Sequence, residues 1–454
     1  LRGVTLADLQ RVLGTYLDAS RITAVSIDPT PKPMPAAAPR STVAERKAEW
    51  QEQTLPNGAR LLLQPDRRLP NLHLRLLCAG GPVLEPSGQR GATSLLATLL
   101  TKDTKTRSAA AVAQLIEQAG GAFYPFAGNN SFGVAVEVLP SELERALDIL
   151  GEAVLAPAFK PATFAVERDA QLAELAQDAD DVVTFGRKLL RKKFFGEHPF
   201  AIDASGDEAG LKALKPATLA ALHREWVVAS NVVLTATGDF DPKTLVPKLK
   251  ALLKRLPQRA FTVPRRPHPG PAEAGDYVEI QARQQAVVYQ AFPGPGVFDA
   301  DFDISEVADE LFSGMSSRLF ERVREEKGLA YFVRSARVSG LHAGMFYFYA
   351  GTAPGKDGEV LAEIEAEIAR VAEGQVDPEE LRRCQTRLKA AKRMGLQSNA
   401  ARAMHAGLNA LYGLPREELA DYDRRIDAVT IADLARFARS RLTRAQRTQL
   451  VVRP

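Results

Sequence analysis

The sequence predicts an α+β protein made of two homologous two-layer domains, each an antiparallel-rich sheet with helices on one face. Its 454 residues suit two or three domains. Along residues 132–138, apolar residues alternate with small or polar ones, as in a strand with one buried face. The order of strands, two helices, strands, helices and a last strand occurs twice, which favours clustered strands over a βαβ arrangement.

A short pattern marks the end of each predicted domain. Residues 429–434 read Val-Thr-Ile-Ala-Asp-Leu and open a helix that leads into a strand at 447–452. The same pattern occurs at residues 4–9, followed by a strand-like segment at 21–27, and a looser copy covers residues 216–236. The predicted helix N-caps are Thr5, Thr218 and Thr430. Three such endings imply three domain ends.

The repeats set the predicted domain boundaries. The first domain spans about residues 51–258 and the second residues 276–454, with a proline-rich linker at 259–275. Residues 1–28 resemble the end of a preceding domain, and the Pro- and Ala-rich residues 29–50 are typical of an extended linker. We therefore expect the chain to be the second half of a longer four-domain protein, or a subunit that kept a neighbour's tail.

Composition and charge narrow the classes of function. Lysine and arginine number 59 against 55 acidic residues, and this net charge of +4 does not favour a nucleic-acid partner. The basic segment 187–193 alternates with apolar residues, which indicates a helix with one solvated face; the alternative is a surface for anionic partners. No apolar run is long enough to predict a transmembrane segment, and no signal peptide is recognisable.

Cysteines and histidines give no metal or disulfide pattern. Cys78 and Cys384 lie far apart in sequence, and we expect both to be buried as small apolar residues. No two histidines have the spacing of metal ligands on one helix. The histidines are His73, His198, His223, His268, His342 and His405.

The most informative segment is 91–98, which reads Gly-Ala-Thr-Ser-Leu-Leu-Ala-Thr after a strand at 72–77 and a Gly-Gly turn at 80–81. This setting resembles the pitrilysin and insulinase family of inverted zincins, in which the segment reads G-x-x-H-x-x-E-H. Two histidines four residues apart can hold zinc, and the glutamate can deprotonate its bound water. Ser94, Ala97 and Thr98 stand at those three positions and can do neither. Taken alone, the segment is an ordinary apolar helical turn.

Downstream, the resemblance assigns two carboxylates. Glu167 and Glu174 lie on one predicted helix. Glu174 matches the family's third zinc ligand, and Glu167 matches the acidic residue two turns before it. One carboxylate cannot replace two imidazoles, so we expect no tightly bound zinc in this chain. Without those partners, Glu174 is more typical of a solvated helix residue.

The second part of the chain keeps a different family feature. Within residues 316–331, Arg324 and Tyr331 match an Arg and a Tyr that hold the substrate backbone and the tetrahedral intermediate in the resembled enzymes. A guanidinium and a phenol are suitable hydrogen-bond donors for an oxyanion. The alternative is that Arg324 pairs with Glu325 or Glu326 on a helix surface while Tyr331 packs as a strand residue.

The segment 121–131 matches the edge strand that binds substrate by β-addition in active relatives. Pro125 interrupts it and cannot donate a ladder hydrogen bond, so we predict a protected edge that does not bind peptide.

Three functions are consistent with these observations. The chain is expected to be the non-catalytic half of a zinc metalloendopeptidase, completing its chamber and supplying Arg324 and Tyr331 to a homologous partner that bears H-x-x-E-H. The alternatives are a structural scaffold, like the core subunits of respiratory complexes, and a peptide-binding module without catalysis. The first hypothesis places zinc in the partner, none in this chain, and makes peptides the substrates. The family resemblance favours the bacterial periplasm, although the chain itself carries no export signal.

Overall fold

The computed structural model describes residues 5–17, 49–271, 274–282, 284–415 and 419–454. The chain forms two compact units, residues 1–47 and 48–454. In the first unit, the described part is the helix α1 (Leu6–Tyr16) with its two flanking residues. The strand predicted at 21–27 and nearly all of the linker predicted at 29–50 lie outside the described residues. The fold class can therefore be assessed on the second unit.

The first repeat contains six strands and eight helices among its described residues. The strands are β1 (Gln51–Thr54), β2 (Arg60–Pro65), β3 (Leu72–Ala79), β4 (Ala122–Ala127), β5 (Ser131–Val138) and β6 (Val232–Gly238). The helices are α2 (Ala92–Leu100), α3 (Ala109–Gln118), α4 (Leu143–Leu155), α5 (Pro161–Asp180), α6 (Val182–Phe195), α7 (Glu208–Ala213), α8 (Pro216–Trp226) and α9 (Pro242–Lys254).

The second repeat has a similar order of elements. Its strands are β7 (Gly275–Ile280), β8 (Ala286–Gly294), β9 (Ala330–Ser339), β10 (Gly344–Thr352) and β11 (Thr448–Arg453). Its helices are α10 (Phe302–Phe312), α11 (Asp357–Ala372), α12 (Pro378–Gly395), α13 (Asn399–Tyr412), α14 (Leu419–Asp427) and α15 (Ile431–Arg441). A π-helical segment, Phe320–Glu326, precedes β9.

The two sheets share one topology. The first has the order β1-β2-β6-β3-β5-β4 and the second the order β7-β11-β8-β10-β9. In both, the closing strand of the repeat lies in the interior, parallel to one neighbour and antiparallel to the other. This correspondence confirms the predicted pair of homologous α+β domains. Because β6 and β11 are interior strands, each sheet depends on the last strand of its own repeat.

Each sheet packs its helix layer over an extensive apolar core. In the first repeat, alternate residues of β3 such as Leu74 and Leu76 pack with Leu95 of α2 and Leu150 of α4. In the second, Phe346 and Phe348 of β10 pack with residues of α10, α11 and α15. The alternate apolar residues of these strands therefore face the helix layer of their own repeat, but the residues between them are buried as well, so the expected single buried face is wrong for β3 and β5.

The opposite face of each sheet carries a helix from the other repeat. Helix α6 packs on β8 and β11, and α13 packs on β3 and β6. Gly186 of α6 makes this approach close, because a Cβ there would lie 2.5 Å from the Tyr289 ring. Gly407 of α13 has the same role, since its Cβ would lie 2.6 Å from Leu77. The sequence predicts helices on one face of each sheet. The structure adds a helix from the other repeat on the opposite face.

One local prediction needs correction, and another holds with one exception. Thr218 is not an N-cap: α8 begins at Pro216 after Lys215, so Thr218 lies inside the first turn. Proline is common at the first helical position because its fixed φ suits the helix and it has no N–H to leave unpaired. In α6, Arg187, Lys192 and Lys193 form the predicted solvated face, but Arg191 is buried and donates from Nε to the Phe200 carbonyl at 3.1 Å.

Candidate functional site

Helix α2 holds the segment that corresponds to the zinc motif, and its N-terminus rests on a buried carboxylate. Gly91 is the N-cap with a φ of 95°, where a Cβ would also lie 2.9 Å from the Ser205 carbonyl oxygen. Glu85 accepts hydrogen bonds from the backbone N–H groups of Gly91 at 3.1 Å and Thr93 at 2.8 Å. Burial raises the pKa of Glu85, while these two bonds oppose the rise. The start of α2 is thus fixed by packing and hydrogen bonding.

The three positions that would carry zinc chemistry do not fit a zinc ion. Ala97 is 1% exposed and belongs to the apolar core of the first repeat. Ser94 and Thr98 are half-buried. Neither a methyl group nor a neutral hydroxyl belongs to the His, Cys and carboxylate ligands that hold protein-bound zinc. This part of α2 is built for packing.

The two carboxylates of α5 have different surroundings. Glu167 forms an ion pair with Lys102 at 2.8 Å. Glu174 lies on the exposed surface of α5. Between them, the buried Gln171 donates from Nε2 to the carbonyls of Gly91 at 3.3 Å and Ser205 at 2.7 Å. An amide therefore links α5 to the start of α2. Within the described ranges, no group of three or more His, Cys, Asp or Glu side chains could hold a metal ion.

Arg324 and Tyr331 lie on either side of a hydrogen-bonded chain reversal. Arg324 is in the π-helical segment, and its carbonyl accepts the N–H of Gly328 at 3.1 Å. The N–H of Leu329 donates to the Val323 carbonyl at 2.9 Å. Gly328 has a φ of 61°, the left-handed region that favours glycine. The local backbone thus fixes the spacing between the two side chains.

The Arg324 guanidinium is held loosely and remains accessible. Its Cζ lies 4.7 Å from the centre of the Phe320 ring. Its Nε lies 3.7 Å from Oε1 of Glu325, and the two side chains are 46% and 60% exposed. An ion pair between such exposed groups contributes little to stability. The pairing with Glu325 considered from the sequence is therefore present, and it leaves the guanidinium open to solvent.

Tyr331 occupies a bulge in an edge strand. Ala330 pairs with Thr352 and Phe332 with Gly351, so Tyr331 is the extra residue of β9. Strand β9 forms one edge of the second sheet, and the Tyr331 side chain is 61% exposed. A bulge turns a side chain away from the regular alternation of the strand. Tyr331 thus presents its phenol to solvent instead of packing as an ordinary strand residue.

These two groups of residues belong to separate parts of the second unit. The positions matching the zinc motif lie in or beside the first core, whereas Arg324 and Tyr331 lie at the rim of the second sheet. Among the described hydrogen bonds and ion pairs, none joins them. The arrangement leaves Arg324 and Tyr331 as two exposed hydrogen-bond donors at the rim of the second sheet.

Strand β4 is an edge strand of the first sheet, as the sequence predicts. Pro125 lies opposite Val134 of β5. The predicted inability of this edge to bind peptide stays a prediction. Both cysteines are buried, also as predicted, and burial raises the pKa of Cys384 to about 12. Neither is a reactive thiol in this setting.

The structure brings together two histidines that the sequence does not connect. The rings of His198 and His268 are 5.3 Å apart, beside Phe194 and Phe195. Both nitrogens of His198 have partners: Nδ1 accepts the Phe200 N–H, and Nε2 lies 3.1 Å from the Arg266 carbonyl oxygen. Burial lowers the pKa of His268 to about 4. The pair is an aromatic contact that secures the linker to α6, which no sequence spacing could indicate.

Comparison with known proteins identifies the family. A model described as insulinase (peptidase family M16) matches residues 62–205, and one described as the peptidase M16 inactive domain matches residues 213–388. Together the two matches cover more than half of the chain, including α2 in the first and the Arg324–Tyr331 region in the second. The chain belongs to the M16 peptidase family. The resemblance drawn from residues 91–98 and 316–331 is confirmed.

Similar proteins match most of the chain. An uncharacterised zinc protease of Streptomyces coelicolor is 27% identical over 398 residues, 86% of this chain and 87% of the relative. One from Mycobacterium leprae is 27% identical over 406 residues, 88% of this chain and 91% of the relative. A peptidase M16 inactive domain from Pseudomonas fluorescens gives a TM-score of 0.81 at 23% identity, covering 89% of this chain and 98% of that one.

A protease from Helicobacter pylori gives a TM-score of 0.82 at 19% identity, covering 90% of this chain and all of the other. These two structures share the fold of this chain, and the first of them is a peptidase M16 inactive domain. Among the described residues, no helix is both long and apolar enough to cross a membrane.

Proposed function

We propose that this chain is the half of an M16 zinc metalloendopeptidase that has lost its own metal site. It completes the substrate chamber and supplies Arg324 and Tyr331 to a homologous partner that bears H-x-x-E-H. The observation that carries the proposal is the contrast between Ala97, buried where the catalytic glutamate would stand, and Tyr331, exposed on an edge-strand bulge.

The donors have the chemistry that peptide hydrolysis requires from such a half. Attack on a peptide carbonyl concentrates negative charge on its oxygen, and donors that already point at this oxygen lower the barrier. The Tyr331 hydroxyl donates one hydrogen bond, and the Arg324 guanidinium adds a permanent positive charge with several N–H donors. The turn at Gly328 fixes the backbone between the two residues, whereas their exposed side chains would be ordered when the substrate binds.

The zinc ion belongs to the partner in this proposal, where it would supply a polarised water for the attack. The substrates are peptides, and the expected periplasmic location stays a prediction. The choice of the peptidase role over the scaffold role rests on the two exposed donors, because a scaffold subunit has no use for them at an open edge. A peptide-binding module would bind peptide without turnover.

Hydrolysis of a quenched fluorescent peptide tests the proposal. The chain with zinc, the H-x-x-E-H-bearing M16 protein of the same genome, and their mixture are assayed side by side. Activity should appear, or rise steeply, in the mixture alone. Turnover by the isolated chain would contradict the conclusion drawn from Ser94, Ala97 and Thr98. A mixture that binds peptide without hydrolysing it would favour the binding module, and an inert mixture would favour the scaffold.

A further inference from the structure

A cleft of about 430 Å³ beside helix α8 combines cationic and apolar side chains. Residues at or just beyond the C-terminal ends of α4, α8 and α9 form its walls. Four lining residues are cationic at neutral pH, namely Lys105, Arg224, Arg255 and Arg259. The apolar lining is mainly aliphatic and includes Val154, Leu155, Phe159, Val227 and Leu256. Among the described residues, no Asp or Glu lines this cleft.

A second cavity, of about 600 Å³, continues the cleft along α8. The two cavities share Arg224 and Arg259 in their linings, and we call the joined cavities the α8 groove. The second cavity adds apolar residues such as Leu84 and Phe261, and a carboxylate, Glu225. The shared arginines are exposed, so the groove is open to solvent. Sites for small molecules, in contrast, bury most of their ligand.

The four cations of the α8 groove lack partners within the part of the chain that the structure describes. Their side chains form no ion pair and no hydrogen bond with described residues, and all four are exposed. The chain beside the groove has the same sign of charge, because residues 242–272 contain four Lys and four Arg but no Asp or Glu. Burial lowers the pKa of the lining residue His223 to about 4, so its ring is neutral at neutral pH. The protein itself therefore leaves the positive charge of the groove largely uncompensated.

The second repeat contains the equivalent arginine in a different role. Arg224 and Arg439 are each the third-last residue of the helix before the closing strand, α8 or α15. Arg439 lines a smaller cleft of about 240 Å³ and donates to the Ala372 carbonyl, at the end of α11, at 2.6 Å. In the first repeat, Nε2 of His223 lies 2.9 Å from the Val154 carbonyl oxygen in the last turn of α4. The histidine thus takes this position, and Arg224 is not used to cap the helix.

The smaller cleft of the second repeat also contains its own counter-charge. Glu365 lines that cleft and forms an ion pair with Arg447. The α8 groove has no such pair among the described residues. Cations near helix C-termini are favourable even without a bond, which applies to Arg224 and Arg255. Lys105 and Arg259 lie outside the helices, so stabilisation of helix ends does not explain the whole set.

We infer that the α8 groove binds an acidic segment of a partner protein, in which Asp or Glu residues flank apolar ones. A guanidinium group can hold a carboxylate through two parallel hydrogen bonds, and clusters of arginine recognise acidic motifs in this way. The apolar lining would bury the apolar side chains of the segment. A nucleic acid is a poorer occupant, because single strands bind mainly by stacking on aromatic rings and this lining is mainly aliphatic. The inference does not depend on the proposed function.

Binding of a fluorescein-labelled peptide to the whole chain, measured by fluorescence anisotropy at physiological ionic strength, tests the inference. In the peptide, Asp and Glu alternate with Leu. The groove variant carries Arg224→Gln with Arg259→Gln. The control variant carries Arg265→Gln with Arg266→Gln, two exposed arginines that line neither cavity. Both variants lose the same charge, and thermal unfolding verifies that both remain folded.

The groove variant should bind the peptide at least about 10-fold more weakly, whereas the control should stay within about twofold. A peptide with Ser in place of Leu should also bind the unmodified chain at least about 10-fold more weakly, because it has no apolar side chains to bury. Absence of saturable binding, equal affinities of the two variants, or equal affinities for the two peptides would overturn the inference. An oligonucleotide of the same charge that binds as tightly as the Leu peptide would also overturn it, since the groove would then bind any polyanion. A groove variant with a lower unfolding midpoint and unchanged peptide affinity would show that the cations only stabilise helix ends.

Discussion

Helix α2 and strand β9 hold residues that match the same family's catalytic machinery, yet their environments are opposite. In α2, Ala97 is 1% exposed and packs in the first core. In β9, Tyr331 is 61% exposed at a bulge, and Arg324 beside it is 46% exposed. The α2 position is thus a packing position, whereas the two hydrogen-bond donors of the second repeat are accessible. The comparison separates residues that stabilise the first repeat from residues that, under the proposed function, would contact a substrate.

The largest expected effect is on the catalytic rate of the assembled enzyme, through the exposed side chain of Arg324. Replacing Arg324 with Ala should lower kcat/KM of the assembled enzyme about 100-fold, or about 3 kcal/mol, because a charged donor to the oxyanion is lost. Arg334→Ala, at an exposed position of β9, is the control and should change kcat/KM less than about threefold. Equal effects of the two substitutions would remove the special role of Arg324.

A second effect concerns the stability of the chain and the buried residue Ala97 of α2. Introducing the family's glutamate at Ala97 should lower the free energy of unfolding by about 3 kcal/mol or more, because a carboxylate would enter an apolar core. Ser94→Glu, at a half-buried position of the same helix, should cost clearly less. Urea denaturation of both variants measures the difference. If Ala97→Glu were neutral, α2 would still have room for the lost site.

Helices α6 and α13, each packed on the sheet of the other repeat, provide a third test. Gly186→Ala and Gly407→Ala should each destabilise the chain by about 1–3 kcal/mol, because the new methyl groups would overlap Tyr289 and Leu77. Gly358→Ala in α11 meets no atom within 4 Å, so it should be neutral or stabilise by up to about 1 kcal/mol. Thermal unfolding of the three variants compares them directly. Three equal shifts would contradict the close approach of α6 and α13.

The smallest effect compares the N-caps of α1 and α15, Thr5 and Thr430. Thr430→Ala should cost about 1 kcal/mol through loss of the N-cap, whereas Thr5→Ala should leave the main unfolding transition of the isolated chain unchanged. The Thr430 hydroxyl holds the pKa of Asp433 below its usual value. Stability from a lowered carboxyl pKa is present above the unfolded value and lost as pH falls through the folded value. The cost of Thr430→Ala should therefore shrink in acid.

Much of this structure can be predicted from the sequence. The alternation along 132–138 predicts β5, and the repeated Val-Thr-x-Ala-Asp-Leu pattern predicts the N-caps at Thr5 and Thr430. These signals are local, because strand alternation and capping depend on residues near in sequence. That residues 94–98 hold no zinc stays a prediction.

Other features depend on residues distant in sequence. Helices α6 and α13 each pack on the sheet of the other repeat. Their close approach depends on Gly186 facing Tyr289 and on Gly407 facing Leu77, and no local sequence pattern shows these contacts. The position of Tyr331 at a bulge follows from the register between β9 and β10. The approach of His198 to His268 depends on the path of the linker. Tertiary packing determines each of these.

The most direct test is the turnover of the assembled peptidase carrying Tyr331→Phe in this chain. The substitution removes one hydroxyl from an exposed ring, so the unfolding midpoint and the affinity for the partner should not change. We predict a fall in kcat of about 100-fold with little change in KM, because the bond forms only as charge develops on the carbonyl oxygen. An unchanged kcat in an assembly that hydrolyses peptide would contradict the claim that this half supplies a catalytic donor.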